Sequence, residues 1–575
     1  MIHDSRSLPP LNTRESRQGE RVFHDFQELK EFFDDNVQLG ANNPTSAAPR
    51  AHRTNRSHND WKSRRHRAES AAASVGGFQA GAAVELNGAA RTGRYDLKKI
   101  ATRAMAEKGF RTEFGAEETA QLSKIRKPAD APPGTKDMRE MIWCSIDNDD
   151  SRDLDQLQVV AQLPNGDVKV YVAIADVDSL VPKDSAIDKS AALNTTSIYT
   201  ADKIFPMLPE KLSTDLTSLN PDEDRLAMVT EYVVGADGIV KEYDIYPGLV
   251  HNHAKLAYNS VAAWLDGKGE MPAPIGKVAG LEENLRLQQT VSDLLKDKRH
   301  ENGSLTLESL EPKAKMDNGL VRDIVLDEKN CAKEIIENFM VTTNGCTARY
   351  LAERGYPTFM RVVKTPEKWD RIVEVAKKLE YKLPSSPDSA ALEKFLQVQK
   401  AADPLHFPDL SLTIVKLLGS GEYIVQQPGE TPVGHFGLAV KDYSHSTAPN
   451  RRYPDLITQR ILKAAQEGKP CPYTPEELEG LAALCTEQED EATKVERQVR
   501  KSAAALHLSD KVGETFDALV TGSGEKGTWV RVLNPPAEGK LVRGAKDLEV
   551  GDKVRVELLK VNVERGFIDF GISKE

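Results

Sequence analysis

The sequence predicts an α+β chain. A mixed α/β region is followed by a small five-stranded β-barrel of the OB type, with a disordered tail and a small helical segment in front. Three observations predict it. Apolar strand-length runs alternate with helical periodicities between residues 135 and 506. After His507 the texture changes to short alternating strands punctuated by glycine. The first 95 residues hold few large apolar side chains. The expected units are 1–95, 96–134, 135–506 and 507–575.

In the first unit, the stretch from Phe23 to Phe33 has the pattern of one short amphipathic helix. From Asn43 to Ser74 the chain is rich in Ala, Ser, Asn and Arg and cannot bury enough surface to fold. Arg50, Arg53, Arg56, Lys62, Arg64, Arg65 and Arg67 there face only Asp60. This stretch reads as a solvated tail or as a non-specific phosphate-binding arm. An organellar transit peptide is disfavoured by the acidic residues before it. The second unit opens with Leu97, Ile100, Ala101, Ala104 and Met105 at helical spacing, stopped at Gly109. Lys127 to Pro133 is a linker.

The third unit begins with strands expected at Met141–Ile146, Leu157–Gln162 and Val168–Ala173. Helices are expected at 283–298, 332–353, 366–380, 389–401, 454–467 and 475–507. The fourth holds five candidate strands in under 70 residues. On such strands Trp529 and Phe516 are candidate stacking platforms, with Lys526, Arg531, Lys540 and Arg543 as phosphate contacts. The plainer reading has Phe516 and one face of each strand filling the barrel.

Composition narrows the class. There is no apolar run of membrane-spanning length and no h-region at the start, so neither a membrane span nor a secretory signal is expected. Five scattered cysteines without a C-x-x-C pair fit a reducing cytosol rather than a disulfide or zinc framework. The net charge of −11 decides little, because the tail is basic (14 Lys and Arg against 11 Asp and Glu in residues 1–95) and a channel can be locally basic in an acidic protein.

The sharpest local signal is Ile146-Asp147-Asn148-Asp149-Asp150-Ser151-Arg152-Asp153-Leu154-Asp155, with five carboxylates in nine residues. Such crowding is unfavourable unless a cation or basic partner offsets it. Asp153 and Asp155 share a face if extended, and Asp147 can converge on them from the strand end. Oxygen donors without His or Cys suit a hard ion such as Mg²⁺. A solvated acidic turn is the alternative. Farther on, Arg451 and Arg452 directly precede a helix expected from Pro454, where unpaired N–H groups and forked guanidinium donors suit a phosphate. A surface turn is the plainer reading of that segment.

Taken in order, these parts resemble the ribonuclease II/ribonuclease R (RNB) family of 3′→5′ exoribonucleases. IDNDDSRDLDQ is similar to that family's metal loop, and IFPMLPEKLSTDLTSLNPDEDRLAM (204–228) to a highly characteristic block. YVAIADVDSLV (171–181), AKLAYNSV (254–261), EIIENFMVTTN (334–344), HFGLAVKDYSHSTAPNRRYPDLITQR (435–460) and KVERQVR (494–500) continue the family's order. The tail from Val512 looks like an S1-type barrel. The resemblance covers about residues 135–575.

It implies an RNB catalytic domain that hydrolyses single-stranded RNA from its 3′ end to nucleoside 5′-monophosphates. Asp147, Asp153 and Asp155 would hold Mg²⁺, two ions per site. The family's fourth acidic position is Gln156 here, a neutral amide that can ligate through oxygen but brings no charge. Tyr199 would pack on the 3′-terminal nucleotides and Tyr258 would stack within the RNA channel. Arg451 would hold the scissile phosphate with Arg452 beside it, in Ala-Pro-Asn-Arg where the family has Ser-Pro-Ile-Arg. Glu496 would lie near the terminal nucleotide; its plainer reading is an exposed helical glutamate paired with Arg500. The cold-shock barrels that commonly precede the family's catalytic domain have no counterpart in residues 1–130. A cytoplasmic monomer is expected. Two rivals stand beside this reading: an RNA-binding protein on a degenerate scaffold, with Gln156 as the lesion, and a Mg²⁺-dependent phosphohydrolase of small nucleotides. The terminal barrel disfavours the second.

Overall fold

The computed structural model describes residues 95–573 apart from 309–311, 318–319, 525–526, 547 and 549–551. The helix expected at Phe23–Phe33, the Arg-rich segment and Lys526 lie outside the described residues.

Two helices come first, α1 (Leu97–Glu107) and α2 (Ala116–Lys124). Strands β1 (Lys136–Asp137), β2 (Cys144–Asp147), β3 (Gln156–Gln162) and β4 (Val168–Ala175) follow. After α3 (Ala186–Asn194) comes a small hairpin, β5 (Ile198–Tyr199) and β6 (Ile204–Phe205). Then come the long strands β7 (Asp224–Val234) and β8 (Val240–His251), and β9 (Ala254–Ala257). Seven of these form one mixed sheet in the order β1-β8-β7-β4-β3-β2-β9. Its end pairs, β1 with β8 and β2 with β9, are parallel, and the rest are antiparallel.

β2 starts three residues later than the apolar run suggests. Met141 and Trp143 spend their N–H groups on local turn carbonyls, and the Trp143 indole donates to Met138 O at 2.8 Å, so no ladder forms there.

The central strands are buried on both faces, which makes them apolar in both phases of the pleat. Leu157, Val159, Ala173 and Ala175 point to one core, closed by α11 (Tyr453–Gln466) through Leu456, Ile457 and Ile461. Val160, Val170, Val172 and Ile174 point to the other. That second core is closed by α4 (Tyr258–Leu265), α5 (Ala273–Lys277), α6 (Leu281–Glu301) and α7 (Cys331–Glu353). Two further two-stranded pairs join β10 (Pro312–Asp317) to β11 (Leu320–Leu326) and β12 (Thr358–Val362) to β13 (Glu422–Gln426). A satellite core gathers α8 (Trp369–Lys378), α9 (Ser389–Ala402) and α10 (Phe407–Leu418). Helix α10 has no counterpart among the expected helices. Its sequence FPDLSLTIVKLL mixes β-branched and apolar residues, and packing decides between strand and helix.

Helix α12 (Pro475–His507) runs 33 residues, about 50 Å, from the sheet domain to the barrel. It starts where the sequence says it should, on a capping box between Thr474 and Glu477. The barrel then closes as β14 (Thr515–Gly524), β15 (Gly527–Val532), β16 (Ala537–Arg543), β17 (Lys553–Asn562) and β18 (Phe567–Ile572), in the order β14-β15-β16-β18-β17. Val520, Val530, Leu541, Val556 and Phe570 fill it, and Phe516 is half-buried against them. The α+β architecture with a five-stranded barrel at the end is therefore as expected.

The first two helices lean on different neighbours. Ala101, Ala104 and Met105 of α1 pack on Ala492, Val495 and Val499 of α12, whereas α2 lies on α3, with Gln121 accepting the Ile187 N–H at 2.9 Å. All five cysteines are free thiols, and no helix among the described residues is long and apolar enough to cross a membrane.

Candidate active site

The acidic loop leaves the sheet at the end of β2. The β2–β9 register pairs Asp147 with Ala257, so Tyr258, the first residue of α4, is set beside Asp147. The return into β3 places Gln156 opposite, with its Nε2 3.3 Å from Asp147 Oδ1. Between them the backbone is pinned from below. Ser218 Oγ accepts the Leu154 N–H at 2.9 Å, and Leu219 N–H donates to Leu154 O at 2.9 Å. Lys255 donates to Ser151 O. Ser218 and Leu219 belong to the 204–228 block, just past a π-helical turn at Leu212–Leu216. Part of that block thus serves as the floor of the acidic loop.

The arginine turn approaches from the other side. Ala448 O accepts the N–H groups of Arg451 and Arg452, and Asp455 Oδ1 accepts from Ala448 N–H at 2.8 Å. Arg452 Nη2 sits 2.7 Å from the same Asp455 oxygen and is turned inward. Arg452 is thus engaged in holding the turn, whereas Arg451 is the more exposed of the two. Arg451 Nε lies 3.3 Å from Asp155 Oδ2, while Asn450 N–H donates to Asp155 Oδ1 at 3.0 Å. Asn450 is itself fixed by the Thr217 hydroxyl.

The same turn sets Tyr199. Tyr453 N–H donates to Thr195 O and Ser197 N–H to Arg451 O, both at 2.8 Å. Two residues on, the Tyr199 hydroxyl donates to Asp153 Oδ2, and its N–H donates to Glu496 Oε1 at 2.9 Å. Glu496 is thus half-buried against Tyr199 rather than fully exposed. Asp147, Asp153, Asp155, Tyr199, Tyr258, Arg451 and Glu496 come together, whereas Asp149 and Asp150 face solvent. Ser218, Thr217, Asn450 and Asp455, none of them foreseen as site residues, hold the others in place. Asn450 and Asp455 stand within the arginine motif, where helix-start chemistry is the signal that finds them.

Electrostatics mark the spot. Burial pushes Asp155 and Asp147 up to about 7. The Asp153 charge adds to both, and Arg451 opposes it. Burial, with Asp153 beside Tyr199 and Asp147 beside Tyr258, also pushes both phenols well up, so they stay neutral. The donor set is oxygen only, which suits a hard cation. Among the described residues no three acidic, His or Cys side chains converge into a ready-made metal cluster. That is compatible with Mg²⁺, which keeps several waters and takes one or two carboxylates plus substrate phosphate oxygens.

Trp529 remains apart from this group, on β15, about one-third exposed with Lys540 Nζ 5.7 Å from its ring centre. Of the other candidate phosphate contacts, Arg531 is spent on Asp409 of α10 at 2.7 Å and Arg543 on Glu557 at 2.6 Å. The first of these pairs is nearly buried and ties the barrel to α10.

An acidic loop facing a guanidinium on a mixed sheet, with an OB barrel behind a long helix, defines an α/β domain joined to an S1-type module. A family profile described as RNB domain matches residues 135–468, more than half of the sequence, and the chain belongs to that family. A second profile, described as RNase II-type exonuclease C-terminal S1 domain, matches residues 514–573. Ribonuclease R of Aquifex aeolicus is 32% identical over 466 residues, 76% of this chain and 65% of that one. The chain therefore spans slightly less than two thirds of that relative. Mycoplasma genitalium RNase R in complex with double-stranded RNA superposes with a TM-score of 0.75 at 25% identity, over 83% of both chains. Yeast Ssd1, described as a pseudonuclease, shares the fold alone, with a TM-score of 0.61 at 16% identity over 80% of this chain and 57% of that one.

Proposed function

We propose that the chain is a metal-dependent, hydrolytic 3′→5′ exoribonuclease that degrades single-stranded RNA to nucleoside 5′-monophosphates, working as a cytoplasmic monomer. One observation carries the reading: Asp155, almost fully buried, is held between the Asn450 N–H and the Arg451 guanidinium, with Asp147, Asp153 and two tyrosines around it. A buried carboxylate so placed is strained when ionised, and a cation relieves the strain. Asp147, Asp153 and Asp155 would hold Mg²⁺, with Gln156 offering at most a carbonyl oxygen. Two ions per site would supply Lewis-acid activation of water and neutralise charge at phosphorus.

The chain's own residues supply the rest. Arg451, the exposed member of its pair, is placed to hold the scissile phosphate and offset charge that grows in the transition state. One preorganised donor of this kind is worth about 3 kcal/mol. Tyr199 and Tyr258 flank the acids and would stack on the terminal nucleotides, at roughly 1–3 kcal/mol per base. Arg452, half-buried on Asp455, positions Arg451, and Glu496 positions Tyr199. Trp529 would meet the strand on the barrel.

A second reading, an RNA-binding protein without turnover, is favoured by Gln156, a neutral amide where the resembled family carries an acid. Incubation with 5′-labelled single-stranded RNA, with Mg²⁺ or EDTA, separates the two. A Mg²⁺-dependent ladder shortening from the 3′ end, lost in Asp155→Asn, is expected. Intact RNA with tight binding in both proteins would establish the second reading instead.

A further inference from the structure

On the other side of α12 from Tyr199 lies a second cleft, about 1010 Å³, walled by α1, α12 and the turn from β17 into β18. Lys494, Arg497, Gln498 and Lys501 line it at i, i+3, i+4 and i+7, one face of the helix. At roughly 100° per residue, Glu496 falls on the opposite side, toward Tyr199. The cleft thus opens on the face of α12 opposite the one that meets Tyr199. It is separate from the strand β15 that carries Trp529.

Its chemistry is one-sided. Six cationic side chains line it against the carboxylates of Glu107 and Glu564, in a chain whose net charge is −11. Some of the cations build the walls: Arg103 joins α1 to the turn through Glu564 at 2.5 Å, and Lys108 joins α1 to α12 through Glu491 at 2.8 Å. The turn is pressed onto the helix. Gly566 has φ +65°, and a Cβ there would lie 2.6 Å from Lys501 Cβ. Arg497, Lys501 and Arg565 are exposed, and no ion pair engages them among the described residues. Beside them Phe567 stands 56% exposed, an aromatic face in a cationic groove. Cations spaced along a groove with an accessible ring are the recognition chemistry of a single-stranded nucleic acid.

We propose that this cleft is a second binding site for single-stranded RNA, engaging the strand on its 5′ side while its 3′ end occupies the site around Asp155. The proposal rests on the RNA substrate inferred above. Arg497, Lys501 and Arg565 would contact phosphates, and Phe567 would stack on a base.

The test compares a 5-mer with a 30-mer. In an Asp155→Asn background, the triple variant Arg497→Ala/Lys501→Ala/Arg565→Ala should bind the 30-mer about tenfold more weakly. Its salt slope should shrink by about 2, as three phosphate contacts on a single strand imply. In the otherwise unmodified chain the same triple variant should turn over the 5-mer within twofold of its parent, which reports a folded active site. Photocrosslinking of a 4-thiouridine 30-mer to the unsubstituted chain should label the Arg565–Phe567 turn. Unchanged 30-mer affinity and salt slope, or crosslinks confined to the residues around Asp155, Tyr199 and Tyr258, overturn the proposal. If the unmodified chain fails to cleave the 5-mer, the exoribonuclease reading falls. A loss of 30-mer affinity in the triple variant would then still support the cleft.

Discussion

The acidic loop and the α1/α12 cleft both present charge, but they are built in opposite ways. At the acidic loop Asp155 is sunk into the protein, short of counter-charge, and held by the Asn450 N–H and a single guanidinium. In the cleft, Arg497, Lys501 and Arg565 stand in water, and the carboxylates nearby are spent joining the walls. Chemistry at phosphorus gains from desolvated, immobile charge. Holding a sliding strand gains from accessible, sequence-blind contacts. Under the proposed function, changes in the first region should reach turnover with little effect on binding, and changes in the second the reverse.

The largest expected effect breaks the first region alone. Asp155→Asn should lower kcat on short RNA by about 10³-fold or more while Kd stays within a few-fold, measured by single-turnover cleavage and fluorescence anisotropy. Equal losses of binding and turnover would show that the two regions are not divided as described.

Next in size is a pH effect on stability in the metal-free protein. Asp155 and Asp147 keep their protons to about pH 7 in the folded state, whereas ordinary carboxylates lose theirs near 4. The folded chain therefore binds more protons than the unfolded one between these limits, and the stability these groups contribute falls as pH rises from about 4 to about 7, then levels off. For Asp155 alone this is on the order of 4 kcal/mol. In EDTA, Asp155→Asn should melt higher than its parent at pH 8 and lose that advantage by pH 5. Mg²⁺ at pH 8 should raise the parent's Tm more than the variant's. A pH slope identical in both proteins would refute the assignment.

Arg451→Ala should follow, with kcat reduced about 10²-fold, the equivalent of one transition-state donor. Arg451→Lys should recover part of it, and Kd for RNA should move little. Trp529→Ala should act the other way, weakening binding of long RNA about tenfold, within the range of one lost stack, and leaving 5-mer turnover intact. The smallest effect sharpens the role of the neutral amide. Gln156→Asp should tighten Mg²⁺ binding several-fold in calorimetry, because it adds a carboxylate where a neutral amide now faces Asp147. Weaker Mg²⁺ binding would mean that the Gln156 amide is needed to hold Asp147.

Much of the fold was legible because its signals are local. Apolar runs of strand length marked β3 and β4, helical spacing marked α12, and glycine punctuation announced the barrel. Helix α10 was not legible, because an apolar, β-branched run fits a strand as well as a buried helix until neighbours choose. The acidic loop was visible as a crowding of like charge, and the arginines as a helix start.

Their division of labour was not visible. Nothing in Arg451-Arg452 says that one side chain turns inward to Asp455 while the other meets Asp155. Likewise, nothing in Glu496 says that it receives the Tyr199 N–H across 297 residues. Sequence determined which residues are chemically able to act, because composition, periodicity and caps are written within a few residues. Tertiary structure decided which of them act together, because burial and counter-charge are set by partners distant in the chain.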